Sequence, residues 1–276
     1  MNLLSLRVPL RKRRLDEIFD LALIVLRANP WRYARITVPI MTGFILLNYT
    51  LTHFLPDNRS LQNGIILTLL LMQASILQLF LTALNGRIVF EAVPRFRDVA
   101  RDVKSTFASY LIRSSIIGSL SITLFLPIIL PPVRAVFTNF FLGEVIVLER
   151  LTGSALRSRT SALSNRNGDR IGGFFLFAIF IFAASLLCTV YALDSLREMM
   201  GDWAEKHIAD PNFDPAGVVF QLVFFPTAVY LCLCRFFLYL DTRIQGEGWD
   251  IELMLARGIE ETEREPEAIQ ARKKSA

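Results

Sequence analysis

Long uncharged stretches alternate with short charged segments along this chain. A membrane-spanning helix needs about twenty apolar residues to cross roughly 30 Å of hydrocarbon. Five stretches of about that length contain no Asp, Glu, Lys or Arg, namely Ile36–Pro56, Ser60–Gly86, Ser114–Val133, Ile171–Leu193 and Pro215–Cys234. Hydrophobic residues make up 53% of the sequence, which is high for a soluble domain. The pattern predicts an integral membrane protein.

A sixth span is predicted over Val133–Leu148, where the pattern is weaker. This short segment is apolar except for Arg134, Asn139 and Glu144. Without it the chain would cross five times, and the basic C-terminal tail would lie outside, against the positive-inside rule. We therefore expect six spans, at about Ile36–Leu55, Gly64–Leu84, Phe107–Leu126, Val133–Leu148, Ile171–Leu193 and Ala216–Leu240.

The distribution of basic residues predicts the orientation. Of the 30 Lys and Arg, the predicted outer loops hold Arg59, Arg134, Arg197 and Lys206, and Arg113 lies at the edge of the third span. The remainder fall on the inner side, which places both termini in the cytoplasm. Because these charges border membrane spans, we do not expect nucleic-acid binding.

The fold class predicted is therefore all-α: a six-helix transmembrane bundle with amphipathic helices at the cytoplasmic interface. Residues 1–35 would form a cytoplasmic basic segment and an amphipathic helix, residues 36–240 the transmembrane domain, and residues 241–276 a cytoplasmic tail with a short helix and a disordered end. Met1–Arg14 lacks the apolar core of a cleavable signal peptide, so the first span should act as an uncleaved signal.

Three amphipathic helices are predicted, each before a pair of spans. The first is Leu15–Asn29 and is ended by Pro30. The second begins at Pro94, and the third, amphipathic or basic, covers Glu149–Asn167. The first helix either lies in the inner membrane interface or packs against the ends of the spans. The three units either form an internal repeat or reflect the simple alternation of loops and spans.

Ionisable side chains inside the spans are the main candidates for a site. Glu144 lies ~7 Å inside the inner interface, where a charge needs a partner or water. Arg113, near the cytoplasmic end of span three, is the predicted partner, and Gln73 and Gln78 are expected to form hydrogen bonds between helices. A structural ion pair is favoured over a proton- or substrate-handling site.

Metal and nucleotide chemistry has little support in the sequence. There are 2 histidines and 3 cysteines, without metal-ligand spacing, and no glycine-rich phosphate loop or nucleophile elbow occurs. We therefore expect no cofactor.

Opposite charges crowd around two glycines directly after the last span. Gly246 and Gly248 would permit a tight turn, since glycine reaches positive φ without steric cost. Asp250 could then cap a following helix. We expect these residues to form a polar clasp that fixes the tail against the bundle, with the members Asp241, Arg243, Glu247, Gly248 and Asp250.

The same stretch carries a resemblance to a known family. Its pattern is Tyr239-x-Asp241-x-Arg243-x-x-Glu247-Gly248-x-Asp250-x-Glu252-Leu253, and a second matching stretch covers Glu144–Leu163. Both resemble bacterial multi-pass membrane proteins that are described as similar to the membrane domain of glycerophosphodiester phosphodiesterases. The resemblance implies a six-span bundle of the bacterial inner membrane whose biochemical role is unknown. The phosphodiesterase activity belongs to an attached soluble domain, which we do not expect here.

Three functions are compatible with these patterns. The first is a non-catalytic membrane protein that scaffolds or assists a membrane complex, with membrane lipids and other membrane proteins as partners. The second is a transporter or channel for a lipid or small solute. It is suggested by Glu144, Gln73 and Gln78, and by the prolines that break span three, Pro127, Pro131 and Pro132. The third is a membrane-embedded enzyme acting on lipid, which only the family's description suggests.

Overall fold

The computed structural model describes residues 13–55, 58–90, 97–108, 110, 137–200, 215 and 217–247. Most of these residues are helical. In chain order they are α1 Leu15–Ala28, α2 Pro30–Phe54, α3 Arg59–Phe90, the short α4 Leu142–Glu144, α5 Gly153–Arg166, α6 Gly168–Met200 and α7 Val218–Glu247. Residues 97–108 are also helical.

Four of these helices, α2, α3, α6 and α7, are long and apolar enough to cross a membrane. The described chain is thus a helical bundle of a membrane protein, which confirms the predicted fold class at this level. The predicted third span lies mostly outside the described residues.

The central helix of the bundle is α7. It packs against α1, α2, α3 and α6. In its apolar window 56% of the residues are buried, whereas the figure is 17% for both α2 and α6. Large apolar side chains such as Leu46 on α2 and Phe180 on α6 point outward. The faces of α2 and α6 that these residues occupy are therefore suited to contact lipid or the apolar helix of another membrane protein.

The first amphipathic helix packs on the bundle. Its apolar face buries Ile18 and Ala22, and the ring of Phe19 stacks on Phe177 of α6 with centroids 3.6 Å apart. The backbone carbonyl of Phe19 also accepts a hydrogen bond from the Tyr230 hydroxyl of α7. Of the two placements left open by the sequence, these contacts correspond to packing against the spans.

The described part of the predicted fourth span is not one regular α-helix. A turn at residues 139–141 precedes α4, and the chain continues as a π-helical turn over Val145–Glu149. Arg150 ends this turn in the left-handed region, with φ 54° and ψ 30°. The sequence predicted that this helix would begin at Glu149. Because Arg150 interrupts the helix, α5 begins at Gly153 instead.

The end of α7 also differs from expectation. The predicted span ended at Leu240, but α7 continues as a helix to Glu247. The turn predicted at Gly246 therefore does not occur there, and Asp241 and Arg243 are helical residues. Gly248 and the tail that follows lie outside the described residues.

Candidate functional site

A fully buried carboxylate lies inside the bundle. Glu144, on the short helix α4, has 0% of its surface exposed. Its Oε2 lies 3.1 Å from Nη2 of Arg235 on α7, and its Oε1 accepts a 3.2 Å hydrogen bond from Nε2 of Gln78 on α3. Arg235 Nη1 also donates to Gln78 Oε1 at 2.8 Å. The three side chains close a ring of polar contacts that joins three elements.

Further contacts hold this ring in place. The guanidinium carbon of Arg235 lies 4.8 Å from the centre of the Phe140 ring, a cation–π geometry. The Tyr110 hydroxyl donates to Gln78 Oε1 at 3.4 Å. Each carboxylate oxygen of Glu144 has a donor, although Arg235 Nε is buried without a hydrogen-bond partner among the described residues. A charge in an apolar interior requires such pairing.

Position 143, next to Glu144, has little room for a side chain. A Cβ atom on Gly143 would lie 2.9 Å from Gln78 Nε2 and 3.3 Å from Cε2 of Tyr110. The absence of a side chain therefore lets α4 approach α3 closely enough for Glu144 to reach Gln78.

A second polar cluster joins three spans elsewhere in the bundle. Asn48 of α2, which is fully buried, donates to Oε1 of both Gln73 of α3 and Gln221 of α7 at 3.0 Å. Gln73 Nε2 donates back to Asn48 Oδ1 at 2.7 Å. Amide pairs of this kind fix the relative positions of membrane helices.

Helix α3 carries a series of buried polar side chains along its length. Gln73 belongs to the amide cluster, Gln78 to the ring around Glu144, and Asn85 accepts a 2.8 Å hydrogen bond from the hydroxyl of Tyr33. From Gln73 to Asn85 the helix rises ~18 Å. Polar contacts between helices thus cover more than half the thickness of a hydrocarbon layer.

Ion pairs gather where α3 and α7 end. Glu149, on the π-helical turn, accepts a 2.7 Å hydrogen bond from the Tyr239 hydroxyl of α7. The same carboxylate pairs with Arg159 of α5 at 2.9 Å and lies 3.7 Å from Arg243 of α7. We call this region the charged end of the bundle; it contains the carboxylates of Glu149, Asp241 and Asp102 with their arginine partners.

Asp241 ties three parts of the chain together at this end. Its carboxylate pairs with Arg170 at the start of α6 and accepts from the side chain of Gln245. The backbone N–H of Arg13 donates to it at 2.9 Å, and Arg170 in turn donates to the carbonyl of Arg13 at 3.0 Å. The segment before α1 is thereby fixed to α6 and α7.

A cleft of about 140 Å³ opens beside these pairs. Its polar lining includes Arg87, Asp102, Arg150, Tyr239 and Arg243, and its apolar lining includes Ala83, Val147 and Leu148. Nη2 of Arg87 lies 2.7 Å from Asp102, and Nη2 of Arg150 lies 3.2 Å from the other oxygen of the same carboxylate. Arg87 also lies 3.9 Å from Asp98, and Arg243 pairs with Glu149, so each arginine that lines the cleft has an acidic partner.

The structure places the predicted site residues in three separate groups. Glu144 and Gln78 meet each other, Gln73 joins Asn48 and Gln221, and Asp241 and Arg243 lie at the charged end in different ion pairs. Glu247 is the last residue of α7. Arg113, Gly248 and Asp250 lie outside the described residues.

Sequence reasoning did not single out Arg235 as the ion-pair partner of Glu144. In the sequence, Arg235 is only the first charged residue after the uncharged stretch Pro215–Cys234. A lone arginine within a span-length helix nevertheless indicates a buried anionic partner. Within the described ranges, no group of three or more His, Cys, Asp and Glu side chains is placed to hold a metal ion.

No family model, curated protein or solved structure matches this chain. The described residues thus form a buried ion pair inside the bundle and several ion pairs at its charged end.

Proposed function

We propose that this protein is a non-catalytic, multi-pass membrane protein that scaffolds or assists other membrane proteins. One observation carries the proposal: the carboxylate of Glu144 is fully buried and both of its oxygens bind donors from other elements. A group held in this way is suited to fixing helices, because releasing it for proton or solute transfer would leave Arg235 uncompensated in an apolar interior.

The proposal includes a topology of six spans in a bacterial inner membrane, with both termini in the cytoplasm. The asymmetry of Lys and Arg supports this orientation. Four long apolar helices support the membrane location. The resemblance of the stretch from Tyr239 to Leu253 to bacterial multi-pass membrane proteins supports it as well.

Contacts with a partner would use surfaces that the bundle leaves exposed. One is the outward stripe of α6, where Leu176, Ile179, Phe180, Leu187 and Tyr191 recur at helical spacing and are each at least 60% exposed. The other is the exposed face of α5, which includes Ala155 and Ala162.

Photo-crosslinking in cells tests the proposal. A photoreactive phenylalanine at Phe180, which is 68% exposed, should form an adduct with a defined membrane protein, and a probe at Ala162 should capture the same protein. The matched control is Phe174 on the same helix, which is 5% exposed and should give no adduct between proteins. Lipid adducts alone from both exposed probes would contradict the scaffold function.

A transporter or channel for a lipid or small solute is the second candidate. The observation that favours it is the series of buried polar groups along α3, at Gln73, Gln78 and Asn85. If these groups lead a solute across the bundle, Glu144→Gln should abolish its movement in reconstituted vesicles while the fold is retained. If the protein is a scaffold, the same substitution should instead lower the stability of the bundle.

A further inference from the structure

Three arginines lie at the corner where α1 meets α2. Arg27 is in the last turn of α1, and Arg32 and Arg35 are in the first two turns of α2. Arg27 and Arg35 are exposed, and Arg32 is half-buried. Within the described residues, none of the three side chains forms an ion pair or a hydrogen bond. Their guanidinium donors are therefore available to a ligand, unlike those of the arginines that line the cleft.

The chain around this corner contains no acidic residue that could neutralise the arginines. Residues 21–56 include three arginines and no Asp or Glu, and α3, which packs against α2, contains no acidic residue either. The nearest acidic residue on α1 is Asp20, two helical turns or ~10 Å from Arg27. On α7, Asp241 is already engaged by Arg170. Among the described residues, the corner therefore has a local excess of positive charge.

The corner lies at the end of a membrane span. The apolar span Pro30–Phe54 begins here. Tyr33 donates to Asn85, two residues before Arg87, so the start of α2 lies at the charged end of the bundle. Trp31 is 79% exposed, and tryptophan collects at the border between hydrocarbon and headgroups. The three guanidiniums are thereby placed near the depth of the headgroups.

Exposed apolar side chains adjoin these charges. Trp31 and Arg35 are one turn apart on α2, and Val38, which is 55% exposed, continues the same face toward the middle of the span. On α1, Leu23 and Ile24 are 55% and 63% exposed. An acyl chain can lie along such a face while its phosphate meets the arginines. The combination therefore suits a phospholipid better than a free anion.

We propose that the corner between α1 and α2 collects anionic phospholipids of the membrane. Arg35, on the exposed side of α2, donates to the phosphate oxygens, and Arg27 and Arg32 strengthen the attraction for a headgroup with a net negative charge. Trp31 holds the corner at the level of the headgroups. This surface is separate from the ring around Glu144 and does not depend on the scaffold function.

Quenching of Trp31 fluorescence by brominated lipids tests the proposal. The full chain has 3 tryptophans, so Trp203→Phe and Trp249→Phe leave Trp31 as the single reporter. In phosphatidylcholine vesicles, a small fraction of brominated phosphatidylglycerol should quench Trp31 more than the same fraction of brominated phosphatidylcholine. Arg35→Gln should lower this enrichment of phosphatidylglycerol about fivefold, which is the effect of one basic residue at a membrane surface. Added salt should lower the enrichment as well, because exposed charges are screened.

The matched control is Arg101→Gln in the same reporter chain. Arg101 is 81% exposed on the helix of residues 97–108, but Asp98 lies 3.9 Å away. The variant removes the same net charge and should leave the enrichment around Trp31 unchanged. Equal quenching by the two brominated lipids, including none by either, would overturn the proposal. An equal loss of enrichment from Arg35→Gln and Arg101→Gln would overturn it too, since the attraction would then depend on net charge and not on the corner.

Discussion

Arg235 and Glu144 form an ion pair between the central helix α7 and the short helix α4, with Nη2 and Oε2 separated by 3.1 Å. The carboxylate is fully buried, and the Arg235 side chain is 19% exposed. Two residues that are 91 positions apart in the sequence thereby hold the short helix α4 against the most buried span. This pair has direct consequences for stability.

Removing either member of the pair should cost more than removing both. Glu144→Gln or Arg235→Gln leaves one charge buried without compensation, which costs about 3–5 kcal/mol of unfolding free energy. The double variant should lose less than the sum of the two single losses. Unfolding in mixed detergent measures all three. Arg157→Gln on the exposed face of α5 serves as the control and should be additive with each. Additivity of the Glu144 and Arg235 variants would contradict the pair.

Gly143→Ala should destabilise the bundle although it adds only one methyl group. The new Cβ would lie 2.9 Å from Gln78 Nε2, and Gln78 cannot retreat without weakening its contacts to Glu144 and Arg235. We expect a loss of about 1–3 kcal/mol. The same unfolding assay on Gly172→Ala in α6 provides the control, since a Cβ there has no neighbour within 4 Å among the described residues. This control should be neutral or slightly stabilising. Similar losses for both glycines would refute the steric argument.

Asp241→Asn should loosen the segment that precedes α1. Loss of the carboxylate charge leaves Arg170 without its anionic partner and weakens the acceptor for the Arg13 N–H. Hydrogen exchange measured by mass spectrometry should become faster around the start of α1 and of α6, by a local free energy of about 1–3 kcal/mol. The exposed Asp169 lies in the first turn of α6, and Asp169→Asn should leave the exchange around Arg13 unchanged. An unchanged pattern for Asp241→Asn would show that this tie is not significant.

Cysteine labelling tests the six-span topology. Cysteines introduced at Asn58 and Asn212, in the predicted outer loops, should react with an impermeant reagent in intact cells. Those at Ser161 and Ser275 should react only after the cells are opened, because the Lys and Arg distribution places them inside. Labelling of Ser275 in intact cells would favour five spans.

The long spans could be predicted from the sequence because hydrophobic length alone determines them. Four predicted spans correspond to α2, α3, α6 and α7, and the boundary between α1 and α2 falls at Asn29 and Pro30, where the proline indicated it. The turn predicted at Gly246 was wrong. The ion pairs of Arg243 with Glu149 and of Asp241 with Arg170 stabilise α7 beyond its apolar part.

The candidate site could be predicted only in part. The depth of Glu144 in the membrane showed that it needs a partner, but a single sequence does not show which helix faces α4. Arg235 was therefore passed over in favour of Arg113, which is closer in the chain. The cleft was not anticipated either, because it combines residues from α3, segment 97–108, the π-helical turn and α7.

The central claim is that the buried Glu144–Arg235 pair serves the fold while function depends on contacts with a partner. The most direct measurement is photo-crosslinking from Phe180 in the double variant Glu144→Gln, Arg235→Gln, with expression and folding verified by its unfolding transition. The account predicts that this variant, which lacks both intramembrane charges, forms the same adduct as the wild type. Loss of the adduct from a folded double variant would contradict it and would assign the pair a direct role in function.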